Sequence, residues 1–71
     1  MMQLMELLWD PRLDESLIVI DILDLRSGEV LESISGSWYD EDVVRCSENS
    51  VESFEYIKED DVLFVKILND N

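Results

Sequence analysis

Asp40-Glu41-Asp42 and Glu59-Asp60-Asp61 are the densest runs of titratable side chains in the sequence, and the chemistry open to them is that of carboxylates. Paired carboxylates serve as general acid and base, clustered ones hold hard cations such as Ca2+ or Mg2+, and rows of them imitate phosphates. The other residue types narrow that choice. There is no histidine, so the usual base for a serine or cysteine nucleophile is missing, and triads of that type are excluded unless a carboxylate or lysine substitutes. With two glycines in the whole chain there is no phosphate-cradling loop. Cys46 is the single cysteine. Arg45 beside it would activate its thiolate slightly, but a free cysteine reads first as a small buried apolar side chain, and one thiol among carboxylates is no zinc site.

Eighteen Asp and Glu among 71 residues create close pairs by composition alone, and a general-acid pair needs a concave pocket that so small a domain rarely forms. Neither acidic run follows an EF-hand loop, and turns recruit Asp for their own geometry, so both read as solvated turns. No catalytic residue, metal ligand or cofactor is assigned, and an enzyme is not expected.

Charge is the remaining signal. Those acids stand against five Lys and Arg, for a net charge of -13, while 46% of residues are hydrophobic, enough for a folded domain. Such a surface repels nucleic acid and anionic membrane and attracts basic surfaces, including those that hold phosphate. Duplex DNA carries one charge per about 1.7 Å, and same-face residues of a strand lie about 6.6 to 6.8 Å apart, so carboxylates on adjoining strands approximate a phosphate row. The candidate partner-binding residues are Asp40, Glu41, Asp42, Glu52, Glu55, Glu59, Asp60 and Asp61. Trp38 and Tyr39, beside acids, either anchor a partner with a basic rim or lid the sheet. As acids of an exposed turn, Glu59, Asp60 and Asp61 are expected to tolerate joint neutralisation with the fold intact. The alternative is that the charge only keeps the surface solvated and self-repelling.

These side chains must be carried by a single domain over residues 1–71, small enough to bury only about 60% of its unfolded surface. Its centre is Ser16 to Gly36, an apolar strand, a tight turn in which Gly28 sits where a hairpin loop needs a positive φ, and a returning strand. Leu17, Val19, Leu23 and Leu25 point to one side of the first strand, and Ile18, Ile20 and Ile22 to the other. With both faces apolar, the strand needs a layer over each face or a partner chain on one of them. Asp21 interrupts it and should lie near an edge of the core, paired with Arg or Lys, or turned toward a partner.

Met1 to Trp9 reads as a short helix from the spacing of Met1, Leu4, Met5 and Leu8, stopped by Pro11. Asp10 to Glu15 is a polar connection anchored by Leu13. The second strand, about Glu29 to Ser35, alternates weakly and belongs nearer an edge. Ser37 caps a helical turn over Trp38 to Cys46, with Val43, Val44 and Cys46 buried. Strands at about Val51 to Lys58 and Val62 to Leu68 follow, the last nearly all apolar and interior, before a frayed tail from Asn69 to Asn71. The expected fold is α+β: a short N-terminal helix packed on a four-stranded, mainly antiparallel sheet, with a helical or irregular crossover between two hairpins.

The run LMELLWDPRLDESLIVIDILDLRSGEVL, with the closing hairpin VESFEYIKEDDVLFVKIL, resembles small acidic proteins of phages and prophages of Gram-positive bacteria. The shared cues are the apolar helix, the strand ending in D-x-R-x-G-E-V-L and the apolar closing strand. The resemblance implies a mobile-element origin and inhibition of host nucleic-acid enzymes, of the anti-restriction or anti-CRISPR kind. It carries over no individual residue. The expected function is a non-enzymatic inhibitor or modulator of DNA-mimic type, bound to the basic nucleic-acid site of a host protein such as a nuclease. The rival is a small structural or assembly protein, a homodimer through the spare apolar face of the central strand. No basic n-region precedes an apolar h-region, and no apolar run nears about eighteen residues, so the expectation is no membrane and a cytoplasmic location.

Overall fold

The computed structural model describes residues 2–70. Its elements are α1 (Leu4–Leu8), a 3-10 turn (Pro11–Leu13), β1 (Leu17–Leu23), β2 (Val30–Gly36), α2 (Glu41–Val44), β3 (Val51–Ile57) and β4 (Val62–Leu68). The four strands form one sheet in the order β2-β1-β4-β3. β1–β2 and β3–β4 are antiparallel hairpins, and β1 and β4 join them as a parallel central pair. The α+β class is as expected, with β4 interior and β2 at an edge.

Register divides the strands into two faces. Ile18, Ile20, Leu63, Val65 and Ile67 lie on one and are buried beneath Leu4 and Leu8 of α1, Leu13 of the 3-10 turn, and Val43 and Cys46 of the α2 segment. The other face has no layer among the described residues: Leu17 is 46% exposed and Phe64 45%, with Val19 between them half-buried. Leu23, on that face by parity, is buried beside its strand partners Val30 and Leu68 and stands apart from the main core.

The first helix is shorter than expected, and Met1 lies outside the described residues. Its free N–H groups find carbonyls across the fold: Leu4 N donates to Asn49 O at 3.0 Å and Met5 N to Ser47 O at 2.8 Å. Pro11 holds Asp10 in extended backbone and opens the 3-10 turn, which ends the helix at Trp9 as expected.

Several local expectations need correction. β1 ends at Leu23, not Leu25, because the Asp24 carboxylate accepts from Arg26 N at 3.3 Å and Ser27 Oγ at 2.9 Å, folding the chain into the turn. Gly28 does take a positive φ, 76°. Ser37 does not cap α2: Asp40 occupies the N-cap position, and the Ser37 N–H donates back to Asp40 Oδ2 at 2.9 Å. Val44 is exposed, since one helical turn directs Val43 and Cys46 inward at i and i+3 and leaves Val44 about 100° away. Of the three placements open to Asp21, pairing with Arg or Lys is absent among the described residues; it lies on the open face and accepts from Ser33 Oγ at 2.5 Å, while Lys66 stands in register on β4. Asn69 and Asp70 are tied down, Asn69 N donating to Leu23 O at 2.9 Å and Asp70 Oδ1 accepting from Ser50 N at 3.2 Å. Asn71 lies outside the described residues.

Candidate partner interface

The topology directs several loops to one end of the sheet. β1 and β4 begin there, with Leu17 beside Val62, and β2 and β3 finish there, with Gly36 beside Ile18 and Ile57 beside Val62. The segments entering β1, leaving β2 and joining β3 to β4 therefore share an end about 14 Å across at normal strand spacing. They bring the exposed acids Asp14, Glu15, Asp40, Glu59 and Asp60 to it, and Glu41 and Asp42 follow on α2.

Cations do little to neutralise this end. Among the five basic residues, Arg12 is paired with Asp10 at 2.6 Å and Arg45 with Asp42 at 3.5 Å. Arg26 lies in the turn at the far end of the β1–β2 hairpin, and Lys66 on the open face, which leaves Lys58 in the β3–β4 turn. Glu52 and Glu55 are less well gathered. Glu55 is opposite Phe64 on the open face, and Glu52, the extra residue of a bulge between Val51 and Ser53, sits about 16 Å along the strand from Ile57.

Asp61 differs from its neighbours in the acidic run. Its backbone is left-handed, φ 53°, which Asp tolerates in turns, and its carbonyl accepts from Leu17 N at 3.1 Å. Its Oδ1 accepts from Ser16 Oγ at 2.5 Å and from Tyr56 Oη at 2.6 Å. The Ser16 and then the Tyr56 hydrogen bonds hold its carboxyl below the usual pKa, and the same contact pushes the Tyr56 phenol up. Asp61 is thus a clasp between the entry to β1, the turn and β3. Joint neutralisation of Glu59, Asp60 and Asp61 is therefore no test of the surface alone, whereas Glu59 and Asp60 are free of such contacts among the described residues.

Trp38 and Tyr39 sit in the turn before α2, edge to face with ring centroids 5.5 Å apart and planes at 89°. Tyr39 is exposed. Trp38 lines a cavity of about 450 Å3 together with Leu8, Trp9, Asp10, Pro11 and Asp14. Sequence reasoning missed Trp9, Asp10 and Asp14. The signal was present: Leu4 and Leu8 define the buried side of α1, and Trp9, one residue on, is turned about 100° away from it. In the Asp10 carboxylate, Arg12 lowers the pKa to about 2 by a side-chain hydrogen bond and a backbone one.

Cys46 is buried, its thiol donating to Asp42 O at 3.5 Å, and burial pushes its pKa up. Among the described residues, no group of three or more His, Cys, Asp or Glu is arranged to hold a metal ion, and no helix is long and apolar enough to cross a membrane. Comparison with protein-family models, with curated proteins and with solved structures finds no match to this chain.

Proposed function

We propose that this chain is a non-enzymatic acidic inhibitor or modulator that binds the basic nucleic-acid site of a host protein by presenting carboxylates in place of phosphates. The observation that supports it is the acidic end of the sheet, where Asp14, Glu15, Asp40, Glu59 and Asp60 emerge with Lys58 as the one cation not drawn elsewhere among the described residues. A basic groove built for phosphate is the surface such an array attracts, and the attraction is long-ranged and salt-sensitive. In this reading the chain is phage- or prophage-encoded, of the anti-restriction or anti-CRISPR kind, works in the cytoplasm, and competes with nucleic acid for its target. The test is the double variant Glu59→Gln with Asp60→Asn, which spares Asp61. Loss of target binding with unchanged melting supports the reading, and undiminished binding at several salt concentrations removes this turn from the contact.

The open sheet face favours a second reading, a structural or assembly homodimer. Leu17, Val19 and Phe64 are an uncovered apolar group at the centre of the sheet, of a kind that marks interfaces. The two readings respond oppositely to salt. Bringing together two chains of net charge -13 is helped by screening, whereas binding to a basic target is weakened.

A further inference from the structure

Both tryptophans of the chain line the same cavity, although Trp9 and Trp38 stand 29 positions apart in sequence (38 − 9). Trp9 is 74% exposed, an uncommon fate for the largest side chain unless something covers it. Trp38 is braced edge to face by Tyr39. Leu8 and Pro11 add apolar surface to the same lining. Two carboxylates complete the lining, and they differ. Asp10 is fixed in direction by Arg12, through Nε at 3.1 Å and Nη2 at 2.6 Å, while Asp14 is exposed and has no side-chain partner among the described residues.

Two indoles, apolar side chains and a carboxylate without a side-chain partner among the described residues define a class of occupant. A cation within about 6 Å of an indole centroid is attracted by the ring, and tryptophan is the best of the aromatic partners. Guanidinium suits this lining better than ammonium, because it is planar, weakly hydrated, stacks on rings and forks onto carboxylates. The methylene stem of an arginine lies along apolar walls such as Leu8 and Pro11. An acidic side chain would be repelled by Asp14 and by the charge of the whole molecule, and a neutral apolar one would leave Asp14 unanswered.

We infer that the Trp9–Trp38 cavity is a socket for one arginine side chain of the basic partner. This rests on the proposed function and extends it: the acidic end steers and orients the partner, and the socket supplies a short-range anchor of the aromatic kind that dominates interface energetics.

The test uses a probe that needs no knowledge of the target. Acetyl-Gly-Arg-Gly-amide and its citrulline counterpart, nearly identical in shape but neutral, are titrated into the full chain while the two indole N–H resonances are followed. Saturable shifts of both indoles with the arginine peptide, absent with citrulline, are the expected result. Asp14→Asn should weaken that binding about three- to tenfold, the scale of one cation–aromatic or charge-assisted contact, and Trp9→Ala, at an exposed position, should weaken it with the melting temperature unchanged. Equal shifts from the two peptides, or shifts at the acidic turn that bypass both indoles, overturn the socket. The parent reading fails separately. If no nucleic-acid protein is bound yet the indoles respond to arginine alone, the socket stands without that target. If a target is bound equally well by the Trp9→Ala variant, the socket falls and the acidic surface remains.

Discussion

The hydroxyl of Ser16 donates to Asp61 Oδ1 at 2.5 Å across 45 residues of sequence. Ser16 is only 2% exposed, and the same oxygen holds Tyr56 at 2.6 Å, so one carboxylate ties the start of β1 to both sides of the β3–β4 turn. Asp61→Ala should therefore lower the melting temperature, whereas Glu59→Gln and Asp60→Asn should leave it nearly unchanged. Ser16→Ala, which removes a buried hydroxyl together with its bond, should cost about 1 kcal/mol in chemical denaturation. Equal melting of the Asp61 and Glu59 variants would show that the clasp contributes nothing.

Acid titration probes Asp10. Its carboxyl is lowered from 3.8 to about 2 by Arg12, so its contribution to stability is present above about pH 4 and is lost as pH falls from there toward 2. Asp10 is half-buried but its partner Arg12 is exposed, so solvent screening keeps the effect small. The parent and the Asp10→Asn variant should differ most near neutral pH and converge toward pH 2, in melting curves recorded across that range. A difference that does not change with pH would assign the role of Asp10 to packing.

Cys46 should resist modification. The thiol is buried and its pKa is raised, so iodoacetamide at neutral pH should label the native chain far more slowly than the chain in denaturant. Fast native labelling would mean that the α2 segment opens readily. The thiolate is the reactive form and burial disfavours it, which is why the native chain should label slowly.

The two sheet faces should respond differently to truncation. Ile20→Ala or Ile67→Ala on the covered face removes a fully buried side chain and should cost about 2–5 kcal/mol, enough to unfold a domain of marginal stability. Phe64→Ser on the open face should leave a monomeric chain folded, and should halve the mass in solution if that face joins two copies. Light scattering of parent and variant distinguishes these outcomes.

How much of this was legible in the sequence follows from the range of the interactions. The bounds of β4 are legible because VLFVKIL is apolar at every position but Lys66 and flanked by acids and Asn. The positive φ at Gly28 was legible because turn geometry is local. Asp24, Asp40 and Asp61 were not, since each is a surface acid by type, and what sets it apart is the donor its carboxylate meets: Ser27 three residues on, Ser37 three back, and Ser16 across the fold. That Trp9 and Trp38 line one cavity depends on how the fold brings together two segments distant in sequence, which no periodicity encodes. The gathering of acids at one end depends on the parallel β1–β4 pair, a matter of strand order rather than of strand pattern.

The most direct measurement is affinity capture with the tagged full chain from a bacterial lysate, eluted first with duplex DNA and then with salt, the eluates identified by mass spectrometry. The expected result is a nucleic-acid-binding protein that DNA displaces, that salt releases, and that the Glu59→Gln, Asp60→Asn variant fails to retain. Recovery of the chain alone, as an oligomer that neither salt nor DNA disperses, would contradict it and place the function in the open face of the sheet.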